Sequence, residues 1–259
     1  MRPHRAALAL APVLGLMACG AAGAGPTPAS SPAGSPAASP GGPFRVLVLS
    51  RTLGYRHDSI PDGLVALQAL GRDHGFAVDA TEDPAAFTRS GLAPYRVVVF
   101  LNTTGDVLAG SERDALRGFV QGGGGFVGVH AAADTLYDWP WYGELVGAWF
   151  RRHPAIQQAT LRVADAGHPS TRGLPDPWAW RDEWYDFRVD PRPHVHVLLT
   201  VDETSYEGGG MGADHPVAWC HELDGGRSWY TALGHVREAY ADPRFLGHLL
   251  GGIRYAAGR

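Results

Sequence analysis

Four histidines and two carboxylates carry the chemistry that this sequence offers. His130 ends the stretch QGGGGFVGVHAAADT (121–135), where a glycine-rich turn feeds a short apolar strand, Phe126 to Val129, and three alanines follow. A buried strand that stops at a polar residue between small ones is how α/β folds expose a functional side chain at a sharp strand-to-helix turn. With an imidazole at that bend instead of Ser or Cys, the position suits an acid, a base or a metal ligand and argues against an acyl-enzyme nucleophile. His57 lies in the donor-rich loop Tyr55-Arg56-His57-Asp58, His235 follows the small-residue strand end Thr231-Ala232-Leu233-Gly234, and His153 precedes Pro154. Glu183, in Arg181-Asp182-Glu183-Trp184-Tyr185, stands among Trp180, Trp184 and Tyr185. Desolvation there raises a carboxyl toward the working range of a general acid, unless Arg181 or Arg188 pairs with it. Asp134 follows the bend by one turn.

Two mechanisms use these residues. In one, His57, His130 and His235, with Asp134 or Glu183, bind a divalent metal such as zinc that polarises a substrate carbonyl or hydroxyl. In the other, a histidine–carboxylate pair performs general acid–base chemistry without a metal. The histidines are far apart and follow no fixed ligand spacing, so the sequence leaves both open. The rings of Trp139, Trp141 and Tyr142, and Trp184 beside the carboxylate, are candidates to stack on the apolar faces of a sugar, or else to fill the core. The sequence contains no lysine, which excludes Schiff-base chemistry and a P-loop lysine.

The elements that must position these groups alternate. Arg45 to Ser50 and Arg96 to Leu101 are continuous apolar strands, as is the Phe126 run, and Phe76 to Ala80 is a further strand. Helices start near Pro61, where Asp58 or Ser59 can cap, and at Ser111-Glu112-Arg113-Asp114. Strands alternating with helices imply an α/β fold with a doubly wound, mostly parallel sheet. The second half reads as an aromatic-rich helix (139–149), strands at Thr160–Ala164 and His194–Val201, a hairpin through Asp224-Gly225-Gly226, and a closing helix from Asp242-Pro243. Ligands of open α/β sheets sit beyond the carboxyl ends of the strands. That rule gathers Tyr55, Arg56 and His57, then Asn102, then His130 with Asp134, and finally His235 on one rim.

The N-terminus reads as an export signal over residues 1–18. Arg2 and Arg5 precede an apolar stretch, Ala6 to Leu16, and Leu16-Met17-Ala18-Cys19 resembles a bacterial lipobox with Cys19 as the lipidated residue; ordinary secretion is the alternative. Eleven apolar residues are too few for a spanning helix, which needs about 20. Residues 19–43, almost purely Gly, Ala, Pro, Ser and Thr, suit a disordered tether, leaving 44–259 as the folded domain. The expected location is the outer face of the cytoplasmic membrane or elsewhere outside the cytoplasm. With Cys19 lipidated, Cys220 has no disulfide partner. A formal charge of −4 gives no indication of nucleic-acid binding.

FRVLVLSRTLGYRHDSI, GGGGFVGVHAAADTLYDWPWYGELVGAWFRRHP, DEWYDF and PVAWCHELDGGRSWYTALGH, in that order, resemble ThuA-like proteins, named for trehalose utilisation, over essentially all of 44–257. The resemblance implies a flavodoxin-like, class I glutamine amidotransferase-like three-layer sandwich. The amidotransferase nucleophile is a cysteine at the bend, here His130, so glutamine hydrolysis is not implied; His235 corresponds roughly to the catalytic histidine of those enzymes. The implied role is in the use of trehalose or related disaccharides, including keto forms, by a hydrolase or lyase. The rival is a non-catalytic carbohydrate-binding lipoprotein that presents sugar to an enzyme or transporter. Protein partners are not indicated by the sequence.

Overall fold

The computed structural model describes residues 43–259, so the signal segment, Cys19 and all of the tether except Pro43 lie outside the described residues. In chain order the elements are β1 (Phe44–Leu49), α1 (Ile60–His74), β2 (Phe76–Thr81), α2 (Arg89–Leu92), β3 (Val97–Leu101), α3 (Gly110–Gln121), β4 (Gly125–Val129) and α4 (Pro140–Val146). They continue with β5 (Phe150–Arg152), β6 (Gln157–Val163), β7 (Trp178–Asp182), β8 (Asp186–Phe187), β9 (His196–Asp202), β10 (Pro216–Leu223), β11 (Gly226–Thr231) and α5 (Pro243–Ala257).

The runs of β3 and β4 are buried at every position, and β1 from Val46 onward. Strands covered on both faces need no alternation, and these three are neighbours inside edge strand β2 of a nine-stranded sheet of order β2-β1-β3-β4-β11-β10-β9-β6-β7. From β2 to β11 neighbouring strands are parallel; from β11 to β7 every pairing is antiparallel. The switch is made by the β10–β11 hairpin, whose turn residues Asp224 and Gly225 both have positive φ, 52° and 95°. That is the backbone a two-residue hairpin of this twist requires. Strands β5 and β8 form a separate two-stranded ribbon. The fold is thus α/β with a mostly parallel core, as the alternation of elements implied.

Strands β5, β7 and β8 are not among those expected from the sequence, and β7 matters most for the site. Trp178 to Asp182, taken there as part of an aromatic cluster, is edge strand β7. Although four places from β11 in the sheet, about 19 Å at ordinary strand spacing, β7 returns to it: the Asp182 carboxylate accepts from the Gly234 backbone N–H at 2.8 Å. The antiparallel half of the sheet therefore curls back over the carboxyl end of β11. The cap of α1 also differs from expectation. Ser59 occupies the cap position but makes no capping bond; its hydroxyl instead donates to the Gly234 carbonyl at 3.1 Å.

Cys220 is buried within β10, and burial pushes its thiol up to about 11. Among the described residues no helix is long and apolar enough to cross a membrane.

Candidate active site

His130 begins the short 3-10 turn that follows β4, and its φ of 50° is the strained, left-handed conformation of a sharp bend. The small neighbours have a steric cause: a Cβ on Gly128 would lie 3.0 Å from the Tyr230 ring and 3.2 Å from Ala132. The His130 Nδ1–H donates to the Ala232 carbonyl at 2.6 Å, which leaves Nε2 facing outward from the bend. Strand β11 runs parallel beside β4, pairing Thr231 with Val129, so the residues that follow the two strands emerge together. Gly234, at φ 110°, turns the chain there, and His130 Nε2 ends 3.2 Å from His235 Nδ1.

The curled edge of the sheet supplies the carboxylate. Glu183, immediately after β7, places Oε2 3.3 Å from His130 Nε2 and 3.1 Å from His235 Nδ1, while Oε1 lies 3.2 Å from His153 Nδ1. His57 closes the group edge-on, its ring centre 4.8 Å from His130 and 5.0 Å from His235. Its ring is 4% exposed, and Nδ1 is buried without a hydrogen-bond partner.

The charges follow from these contacts. Burial, then His130 and His235, lower His57 to about 2, so it is a neutral imidazole. For Glu183, burial works against ionisation, but hydrogen bonds to His130 and His235 outweigh it and hold the carboxyl well below the usual range. The expected elevated acid is therefore corrected: the groups beside this carboxylate are imidazoles, not indoles. Burial also opposes protonation of His235, yet Glu183 raises it above the ordinary imidazole value. The alternative of an arginine partner is not realised, since Arg188 lies over the Tyr137 ring at 3.8 Å and donates to the Phe150 carbonyl.

Asp182 was not singled out from the sequence, yet it organises the site. Its two oxygens accept from the N–H groups of Glu183, Gly234 and His235 at 3.0, 2.8 and 3.0 Å and from the Trp180 indole at 2.9 Å. The signal was present: Trp178, Trp180 and Asp182 alternate with exposed residues, which puts the acid on the buried face of β7. Tyr185 was likewise passed over; its ring packs on His130 at 4.2 Å.

The other candidates divide. Tyr55, 63% exposed, lies edge-on to His57 at 4.9 Å. Asn102 is buried and donates to the Ser59 hydroxyl at 3.0 Å, bracing the loop that holds Gly234. Asp134 stays outside the cluster, its carboxyl bonded by the Tyr137 hydroxyl at 2.6 Å and pushed up by burial. Arg56 faces away and pairs with Glu82 at 2.7 Å.

Trp139, Trp141, Tyr142 and Trp184 are not brought to the histidines. Trp141 donates to Asp224 at the hairpin turn, at the opposite end of β11 from His235. Trp139 packs under Arg113 and Arg117. Tyr142 is sealed between Phe100 and Phe126, and Trp184 is fully buried with its indole on the Gln157 carbonyl. These rings fill the core and brace its margins, so a sugar-stacking role for them is corrected.

The ligand set fits a divalent cation. With Nδ1 of His130 donating to Ala232, Nε2 is the nitrogen that faces the carboxylate, and a proton or a metal must lie between the two atoms. Ligands 2.0–2.1 Å from a tetrahedral zinc lie about 3.3 Å from one another, and the three atoms here are separated by 3.1–3.3 Å. His57, His130, Glu183 and His235 together offer four ligand atoms within 4.8 Å of one another. A second group, Asp186, Glu203 and His215, is similarly close, but Arg151 and Arg152 already bind the Asp186 carboxylate and balance its charge.

The family model described as ThuA, trehalose utilisation, matches residues 45–256. Among solved structures, a protein described as ThuA-like from Bacteroides uniformis ATCC 8492 is 27% identical with a TM-score of 0.70, covering 86% of this chain and 95% of its own. Another so described, from Parabacteroides merdae ATCC 43184, is 24% identical with a TM-score of 0.70, covering 83% of this chain and 90% of its own. A β-galactosidase from Bacillus circulans sp. alkalophilus shares the fold alone: 16% identity, a TM-score of 0.55, 82% of this chain and 31% of that one. No curated protein matches the chain. With the family model spanning almost the whole described region, the chain belongs to the ThuA, trehalose utilisation, family.

Proposed function

We propose that this chain is an exported, lipid-anchored enzyme that acts on a carbohydrate, trehalose or a related disaccharide or its keto form, at the cluster of His57, His130, His235 and Glu183. The observation that carries the reading is the triangle of His130 Nε2, His235 Nδ1 and Glu183 Oε2, 3.1–3.3 Å on a side. Such a convergence of strained and desolvated groups is excessive for sugar binding alone and suits cleavage by hydrolysis or elimination. The same four residues would hold a divalent metal such as zinc, which when bound supplies Lewis-acid polarisation of a sugar carbonyl or hydroxyl.

The chain's own groups have separable parts in this reading. His130 is fixed in one tautomer by Ala232, and Asp182 fixes the backbone on either side of the Glu183–His235 contact. His153 reaches Glu183 from a side chain 38% exposed, so it is the imidazole best placed to exchange protons with solvent and substrate. Tyr55, projecting beside His57, takes over the stacking role first assigned to the tryptophans. Export and lipidation at Cys19 rest on the N-terminal sequence pattern, and a tether over residues 19–43 would give the domain reach from the membrane.

The rival is a carbohydrate-binding lipoprotein without catalysis, favoured by the exposed side chains of Leu53 and Tyr55. Product analysis after incubation with trehalose, other disaccharides and their 3-keto forms separates the two. We expect turnover that falls at least about 10²-fold in His130→Ala, together with stoichiometric metal by elemental analysis that the variant loses. Turnover unchanged by the substitution defeats the site assignment; saturable binding without turnover favours the rival.

A further inference from the structure

We propose that Tyr185 contacts the substrate, donating its phenolic hydrogen to an uncharged sugar oxygen held beside the histidine cluster. The inference rests on the carbohydrate reading above and adds to it a residue and a substrate class.

The argument begins from hydrogen-bond satisfaction. A buried tyrosine almost always finds a partner for its hydroxyl. The buried tyrosines of the described residues follow this rule with one exception. The hydroxyls of Tyr142, Tyr230 and Tyr240 donate to the carbonyls of Ala132, His130 and Gly234 at 2.8, 2.8 and 3.1 Å, and that of Tyr206 meets His215 Nδ1 at 3.1 Å. Tyr185 is as deeply placed, 3% exposed, yet among the described residues its hydroxyl bonds to nothing. It is not one of the fully enclosed unpartnered atoms either, so the small exposure of this residue includes the hydroxyl. An unused donor that still reaches solvent within a packed site is a place kept for a ligand acceptor.

Its surroundings hold it there. The ring lies between those of His130 and Phe150, each at 4.2 Å, and is nearly parallel to His153 at 5.9 Å. Its backbone carbonyl accepts from His215 Nε2 at 2.8 Å, and the next residue, Asp186, is bound by Arg152 at 2.8 Å. The ring and main chain are therefore fixed before any ligand arrives, as a preorganised donor requires. A phenolic hydroxyl contributes one hydrogen and no countercharge, which fits a neutral carbonyl or hydroxyl oxygen, so a neutral disaccharide or its keto form is the class of substrate.

The test compares the full chain with Tyr185→Phe, which keeps the ring against His130 and Phe150, on the panel of trehalose, other disaccharides and 3-keto forms. We expect kcat to fall about 10²-fold with KM changed much less, or, for a protein that only binds, Kd to weaken about 10-fold. Thermal unfolding should leave Tm unchanged or higher, because the hydroxyl removed has no partner in the fold. Activity or affinity within about twofold of the unsubstituted chain overturns the role of Tyr185 while leaving the site reading intact. A destabilised variant also overturns it, since the hydroxyl then has a structural partner. If the unsubstituted chain neither binds nor turns over any sugar on the panel, the functional reading fails and this inference fails with it.

Discussion

His57 shows at the residue scale how function and stability can oppose each other. Its ring is buried and neutral, with Nδ1 lacking a hydrogen-bond partner among the described residues, and is packed edge-on against two other imidazoles and Tyr55. Nothing in the metal-free fold depends on its polarity, and a buried unpartnered nitrogen costs about 1–3 kcal/mol. His57→Phe should therefore leave the metal-free protein as stable or up to about 1 kcal/mol more stable, while bound metal and turnover are lost. Denaturant unfolding and elemental analysis read the two effects separately. A loss of more than about 2 kcal/mol would show that the imidazole serves the fold. The sequence displayed His57, His130 and His235 because each follows an apolar run, and the strand-end rule brings such positions to one rim. It displayed the tryptophans equally well, but ring type does not say which face a ring covers, so Trp139, Trp141 and Trp184 were placed at a site they do not reach.

The decisive contact between elements is the one from β7 to the segment after β11. One carboxylate, Asp182, gathers three backbone N–H groups and an indole from both sides of the join. Asp182→Asn is nearly isosteric, yet whichever way the amide is turned, its NH2 confronts two donors. We expect a loss of about 2–4 kcal/mol in unfolding free energy and displacement of His235, seen as weakened metal binding that Glu183 alone does not restore. Stability within about 0.5 kcal/mol of the parent would mean that the clamp is dispensable. The parallel strands β1, β3 and β4 were legible because uniform burial leaves uniform hydrophobicity. β7 was not, because Trp178-Ala179-Trp180-Arg181-Asp182 is rich in indoles and ends in a charge, and the partner that neutralises that charge lies 52 residues further along the chain.

The molecule as a whole carries several neutral histidines in its interior. His248 is fully buried, donating from Nδ1 to the Ser170 carbonyl at 2.8 Å and accepting the Thr231 hydroxyl at 3.1 Å on Nε2; burial lowers it to about 4. His168, beside Ser170, is also lowered to about 4 by burial, and His57 further. His235, raised by Glu183, acts in the opposite sense. An unfolded imidazole titrates near pH 6.5, so below that pH the unfolded chain takes up protons that the folded one refuses. The stability held by the lowered histidines should be full above about pH 6.5 and fall toward pH 4, by about 1.4 kcal/mol per pH unit for each of them, whereas the part held by His235 is full below about pH 6.5 and lost as the pH rises further. Urea unfolding between pH 7 and 4.5 tests this: near pH 5 a net uptake of about three protons is expected, one each for His57, His168 and His248, reduced by about one in His248→Asn. A flat profile, or one indifferent to that substitution, contradicts it. Nothing in the residue types around His248 shows that it is sealed; the tertiary contacts to Ser170 and Thr231 do.

The putting-together of the site also sets an order of events. From His57 to His235 the ligands span most of the folded chain, each delivered after a different strand, and the last arrives with the sheet's final strand. No local fragment can preassemble this nest, so a cation has nothing to grip until the sheet has closed. Unlike a zinc finger, which needs its ion in order to fold, a domain built this way would finish its architecture before these four residues could take up an ion.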